Sequence, residues 1–204
     1  MPEHPALSQP ELQSLPDGVA SDRLVVRRYR PGDGEALFGA FSAHRDELKQ
    51  RLPWPDAHQA AADSEAYVRR MQADFVARRQ FVFGIWDRAS GDYLGGTGLH
   101  ALDWRTPKAE VGYFLLPPAR GRGHATTAVR LLVRMGFEQL ALNRIHATCD
   151  ADNIASANVL RRAGLREEGV SRLDQRDHHG KLRDTLHFAL TIDDYPQWSA
   201  AQAT

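Results

Sequence analysis

The run Leu115-Leu116-Pro117-Pro118-Ala119-Arg120-Gly121-Arg122-Gly123-His124-Ala125 sets a turn rich in glycine and arginine between a strand-like and a helix-like segment. Such a turn is an anion receptor. A helix N-terminus offers unpaired backbone N–H groups and partial positive charge, and glycines at 121 and 123 let a phosphate reach the backbone without meeting a Cβ. Arg120 and Arg122 add charge-assisted hydrogen bonds, each worth about 1.5–3 kcal/mol when well formed. A Walker A loop needs a Gly-Lys-Ser/Thr ending that is missing here. A dinucleotide fingerprint needs a third glycine where Thr126 stands. An RGG-type RNA contact needs a disordered, repeated context, whereas a strongly amphipathic helix follows. The competing structural reading is a tight turn with two solvated arginines.

The elements around this turn can be read from pattern. Arg23 to Tyr29 has strand composition and is broken by Pro31-Gly32-Asp33-Gly34, before a helix from about Glu35 to Ala43. A Pro53-Trp54-Pro55 segment precedes a second helix over Asp63 to Arg79, with Ala66, Met71, Phe75 and Val76 as inward positions. Phe81 to Trp86, Tyr93 to Leu102 and Ala109 to Leu116 read as strands of a meander with turns between them. His124 to Leu140 carries Ala125, Ala128, Leu132 and Met135 at spacings of three and four, the strongest helical signal in the chain. Arg144 to Asp150 alternates Ile145, Ala147 and Cys149 against His146, Thr148 and Asp150. A helix over Asn153 to Ala163, capped by Gly164, comes next, and then strands over Gly169 to Arg176 and Thr185 to Ile192.

Composition narrows the class. The 204 residues suit one core, with 42% hydrophobic and 25% charged residues, so a soluble globular fold is expected. Lys plus Arg and Asp plus Glu both number 26, which supplies no basic excess for nucleic acid. The single cysteine, Cys149, excludes an intramolecular disulfide, and no apolar run suits a membrane span. A cytoplasmic location is expected. Residues 1–20 read as a flexible tail, 21–195 as one domain and 196–204 as a second tail. Adjacent His178 and His179 lack the spacing of a zinc site, and no metal is expected.

The Arg120-x-x-Gly123-x-Ala125 pattern resembles the Q/R-x-x-G-x-G/A pyrophosphate loop of the GNAT acyltransferases. The run from Ala109-Glu110-Val111-Gly112-Tyr113 through Ala125 is similar to the RimJ/RimL-type branch. Asn153-x-x-Ser156, Arg162-x-Gly164-Leu165 and Glu168-Gly169 follow in the same order, so the resemblance spans about Arg23 to Ile192. It implies an α/β (α+β) fold: a mixed, mostly antiparallel sheet of about seven strands, splayed in the middle and flanked by about four helices. It also implies acetyl-CoA as co-substrate. The loop residues Arg120, Gly121, Arg122, Gly123, His124, Ala125 and Thr126 would hold the pyrophosphate. Main-chain groups of Phe114, Leu115 and Leu116, with Asn153 and Ser156, would hold the pantetheine. The implied activity is transfer of an acetyl group to a primary amine, a protein N-terminal α-amine or a small-molecule amine, by direct attack in a ternary complex.

Acyl transfer to an amine needs a neutral nucleophile, an oxyanion donor and a proton source for the thiolate. Glu110 is the first candidate base and Asp174 the second; a solvated strand-face carboxylate and a surface loop charge are their structural alternatives. The tyrosine that many GNAT enzymes carry seven residues after the asparagine is replaced by Leu160. Ser156 resembles the serine that takes over in the RimJ/RimL branch; otherwise it is a helix serine bonded to its own backbone. A backbone N–H near Leu115 would be the oxyanion donor. Trp54 would wall the acceptor pocket or else sit in the core. Cys149 shows no sign of activation. The absent tyrosine also admits a non-catalytic acyl-CoA-binding regulatory module. The partners expected are acyl-CoA and an amine acceptor, with no membrane and no direct nucleic acid; the oligomeric state, a homodimer among the options, is open.

Overall fold

The computed structural model describes residues 15–177 and 180–202. Most of the N-terminal tail, His178-His179 and the last two residues lie outside that range. The strands are β1 (Gly18–Ala20), β2 (Leu24–Arg28), β3 (Phe81–Asp87), β4 (Tyr93–Asp103), β5 (Lys108–Leu115), β6 (Arg144–Asp150), β7 (Arg166–Arg176) and β8 (Leu182–Thr191). The α-helices are α1 (Asp33–Lys49), α2 (Ala61–Val76), α3 (His124–Glu138), α4 (Ile154–Ala163) and α5 (Tyr195–Gln202). The strands form one sheet in the order β1-β2-β3-β4-β5-β6-β8-β7. β5 and β6 pair in parallel, whereas β1 with β2, β2 with β3, β6 with β8 and β7 with β8 are antiparallel. The parallel register joins Lys108, Ala109 and Glu110 to Arg144, Ile145 and His146.

Two compact units emerge: Pro16–Gly98 with Tyr113–Ala128, and Leu99–Gly112 with residues 129–202. They interleave along the chain, and β4, β5 and α3 each run from one unit into the other.

In the unit of Pro16–Gly98 and Tyr113–Ala128, Leu37, Phe41 and Leu48 of α1 pack with Val68 and Met71 of α2 against Val82 and Trp86 of β3. The inward face of α2 is Ser64, Val68, Met71 and Phe75, at spacings of four, three and four. This corrects the sequence expectation at two positions. Ala66 and Val76 fall off that stripe, and Val76 is 66% exposed. The helix starts where the Asp63 carboxylate accepts from the backbone N–H of Ala60 at 2.9 Å.

In the other unit, Ile145 and Ala147 of β6 bury beneath α3 and α4 with Leu132, Met135 and Leu160. A Cβ at Gly136 of α3 would stand 2.5 Å from Ile145 Cδ1, so helix and strand meet at a residue without a side chain. The expected strand and helix counts each fall one short. Gly18–Ala20 adds an edge strand where a tail was expected, because its backbone pairs with Val25–Arg27. The expected C-terminal tail is largely α5, held by buried Trp198, whose indole N–H donates to the Ala163 carbonyl at 2.7 Å.

Candidate active site

The loop after β5 lies in the unit of Pro16–Gly98 and Tyr113–Ala128. Pro117 and Pro118 begin a single 3-10 turn, Pro117–Ala119, which turns the chain toward α3. Gly121 and Gly123 then adopt φ of 74° and 81°, in the left-handed region that favours glycine. A Cβ built at either one meets nothing within 4 Å, so this face of the loop is open. Thr127 N–H donates to the Gly123 carbonyl at 3.0 Å, closing the first bond of α3. The N–H groups of His124, Ala125 and Thr126 therefore belong to the first turn, whose donors have no partner within the helix. An open glycine cradle at the positive end of a 15-residue helix fits a pyrophosphate.

Arg120 Nη1 lies 2.5 Å from Glu47 Oε1, and its Nε donates to the Leu115 carbonyl at 3.2 Å. That arginine braces the loop against α1. Arg122 is exposed, and its carbonyl accepts from Arg23 Nη1 at 3.4 Å. His124 is buried, with Nε2 3.3 Å from Arg23 Nη2. Burial first, then Arg23 and Arg122, push its pKa down. A guanidinium only donates, so the neutral ring accepts at Nε2 and carries its proton on Nδ1.

Of the main-chain groups expected to hold pantetheine, the Leu115 carbonyl is taken by Arg120, and Leu116 N–H donates to the Leu94 carbonyl at 2.9 Å. Trp54 is half-buried, its ring 5.0 Å from Phe114 and 5.2 Å from Phe41, centroid to centroid. Beside it, buried His58 shares a 2.8 Å hydrogen bond with Ser64, and burial lowers its pKa.

The unit of Leu99–Gly112 and residues 129–202 holds the expected chemical groups. On β5, Glu110 Oε1 accepts from Thr148 Oγ1 of β6 at 2.7 Å. His146 is the register partner of Glu110. His100 of β4 packs at Gly112, where a Cβ would come within 3.3 Å of its ring. Burial lowers the pKa of both imidazoles, opposed in each case by the Glu110 carboxylate. On β8, His187 pairs across from Thr148, and its Nε2 lies 2.8 Å from Ser171 Oγ of β7. One polar row thus crosses β5, β6, β8 and β7.

Asn153 caps α4, its side chain accepting from the Ser156 N–H at 3.1 Å. The Ser156 hydroxyl bonds the Cys149 thiol, whose pKa is raised chiefly by burial and lowered in part by that bond. Leu160, at the position of the missing tyrosine, is 0% exposed and belongs to the core. Asp174 is exposed and lies in an irregularity of β7, where pairing with β8 skips from Ser171 to Gln175. Sequence reasoning singled out neither His146 nor Thr148 as a site residue. The alternation along Arg144–Asp150 put both on the polar face, but only the parallel register sets them beside Glu110.

Comparison with known proteins decides the family. The profile described as an acetyltransferase (GNAT) domain matches residues 23–166. The chain belongs to the GNAT acetyltransferase family. Among its relatives is the uncharacterized N-acetyltransferase YoaA of Bacillus subtilis, 32% identical over 154 residues, covering 76% of this chain and 85% of YoaA. Among solved structures, the microcin C7 self-immunity acetyltransferase MccE, in complex with acetyl-CoA and AMP, has a TM-score of 0.80 at 20% identity. That match covers 87% of this chain and 98% of MccE. RimL, a ribosomal L7/L12 α-N-protein acetyltransferase in complex with coenzyme A, has a TM-score of 0.78 at 21% identity and covers 86% and 97%. The GNAT fold and a RimJ/RimL-type likeness both stand. The protein is an acetyl-CoA-dependent N-acetyltransferase. Among the described residues no group of three or more His, Cys, Asp or Glu is placed to hold a metal ion, and no helix is long and apolar enough to cross a membrane.

Proposed function

We propose that this GNAT enzyme acetylates α-amines, a protein N-terminus first, by direct attack of the amine on acetyl-CoA. The observation that carries the reading is the Glu110 carboxylate, bonded by the Thr148 hydroxyl at 2.7 Å and neighboured by neutral imidazoles. An α-amine titrates at about 7.7–8.0 and a lysine at about 10.4, so a mild base suffices for the former. The description of RimL as an α-N-protein acetyltransferase points the same way, and a small-molecule amine is the second reading.

In this reading the ammonium form of the acceptor gives one proton to Glu110, directly or through a water, the neutral amine attacks the acetyl carbonyl carbon, and the second N–H proton leaves the tetrahedral intermediate through water to the departing thiolate. A backbone N–H near Leu115 stabilises the oxyanion. The C–S bond then breaks, and Ser156 hydrogen-bonds the departing thiolate. Gly121, Gly123 and the first turn of α3 hold the pyrophosphate, Arg122 adds charge, and Trp54 walls the acceptor side. One catalytic domain, expected over residues 21–195, and a cytoplasmic location belong to the same proposal.

Labelled acetyl-CoA with a panel of N-terminal peptides, lysine peptides and small amines tests it. Acetylation of peptide α-amines ahead of the other classes is expected. Turnover confined to lysine side chains would overturn the α-amine assignment.

A further inference from the structure

His146 lies beside the proposed base and has no role in the reaction as described. It sits opposite Glu110 across the parallel β5–β6 register, where neighbouring strands run about 4.8 Å apart and paired side chains share a face. Its Nδ1 is buried and makes no hydrogen bond. The Ala109 carbonyl is near enough to favour the protonated ring but makes no bond of normal geometry to Nδ1. A buried ring nitrogen left unpaired carries a desolvation cost, so a purely structural histidine here would be expected to find a partner.

Glu110, by contrast, is already anchored. Thr148 holds Oε1, and the carboxylate is the strongest charge acting on the His146 ring. We propose that His146 is the relay partner of Glu110, taking up at its ring the proton that Glu110 removes from the acceptor amine. This rests on the reading of Glu110 as the base. The balance is simple. The acceptor N–H bond breaks and an O–H bond forms on Glu110; that bond breaks as an N–H bond forms on His146, and the imidazolium then gives the proton to water. Glu110 returns as a carboxylate for the next turnover. His146 acts through Glu110 and touches neither substrate, so it is a positioning residue for proton transfer.

The charges facing this ring are Glu110 and Lys108 on β5, Arg144 on β6 and Glu168 on β7, with His187 of β8 also acting on Glu168 and His100 of β4 acting with Glu110. Arg144 is held by Glu168 at 2.5 and 2.7 Å, which partly neutralises that cation. Burial, Arg144 and Lys108 lower the pKa of the ring, so it is neutral and able to accept at pH 7.

The test compares pH–rate profiles of His146→Gln, Glu110→Gln and the double variant on one N-terminal peptide, with melting temperature and CoA affinity measured for each. His146→Asn is a second variant in case the glutamine disturbs packing. The relay predicts that His146→Gln lowers kcat about 10-fold and displaces the acidic limb, while the melt and CoA affinity stay near parental. It also predicts that the double variant is no slower than Glu110→Gln alone, because both residues serve one proton path. If Glu110→Gln keeps the parental profile, the base reading falls and the relay with it. If Glu110→Gln loses rate but both His146 variants keep the parental profile, or if the losses multiply in the double variant, the relay alone is overturned.

Discussion

Arg120 is bonded at both ends of its guanidinium to groups of this protein, Glu47 of α1 at 2.5 Å and the carbonyl of Leu115 at 3.2 Å. The arginine that carries the family pattern therefore braces the loop against α1, and both it and Arg122 are exposed beside the glycines. Both ends of the Arg120–Glu47 pair are nearly half exposed, at 47% and 46%, so solvent screens it. Arg120→Ala and Glu47→Ala should each cost less than about 1 kcal/mol of stability and weaken CoA binding slightly, with no further loss in the double variant. Arg122→Ala should weaken CoA by about 1–3 kcal/mol, read by calorimetry. Equal losses at 120 and 122 would contradict this division.

Gly123 has φ of 81° and open space where its Cβ would be. Gly123→Val should abolish CoA binding, because the side chain enters the cradle and the β-branched residue strains the turn. The melting temperature should fall only modestly, since the added atoms meet no protein. Parental CoA affinity in a folded variant would show that the phosphates rest elsewhere.

Ser156 shares its hydroxyl with the Cys149 thiol. Ser156→Ala should lower turnover about 10–100-fold, the equivalent of about 1.4–2.7 kcal/mol of transition-state stabilisation, with CoA affinity little changed. Cys149 should be alkylated slowly at pH 7 and faster as pH rises, because burial pushes the thiol up. Parental turnover in Ser156→Ala would leave the serine a structural role only.

The melting temperature should fall as pH drops below about 6.5. His58, His100, His124 and His146 all have folded pKa values lowered from 6.5, with burial as the leading cause. The unfolded chain therefore binds protons first, and the stability these rings contribute is full above 6.5 and lost as pH falls through their folded values. His58→Asn, which keeps a polar partner for Ser64, should flatten that slope. A melt independent of pH between 7 and 5 would contradict the assignment.

Trp198 should anchor the C-terminal helix. Its indole N–H meets the Ala163 carbonyl, and Gly164, at φ of 91°, has that indole 2.5 Å from where a Cβ would stand. Trp198→Ala should cost about 3–5 kcal/mol in denaturant unfolding. Gly164→Ala should destabilise as well, through both strain and collision.

The anion loop, the long amphipathic helix and the strand order up to it were legible in the sequence because each is local. Glycine spacing, proline positions and apolar period are set by residues a few places apart. Glu110, Asn153 and Ser156 could be named for the same reason, since a motif in order carries its own register. The inward face of α2 could not be read so well, because Ala66 and Val76 are apolar but out of phase with Val68, Met71 and Phe75, and the phase depends on what the helix packs against. The brace on Arg120 joins residues 73 positions apart, and the Thr148 bond to Glu110 spans 38. The setting of His146 comes from the parallel pairing of β5 with β6, in which a shift of one residue would turn its ring to the opposite face. Sequence thus determined which groups exist and which face of its own strand each one takes; tertiary pairing decided which of them meet, because contact between strands distant in sequence is fixed by register and packing.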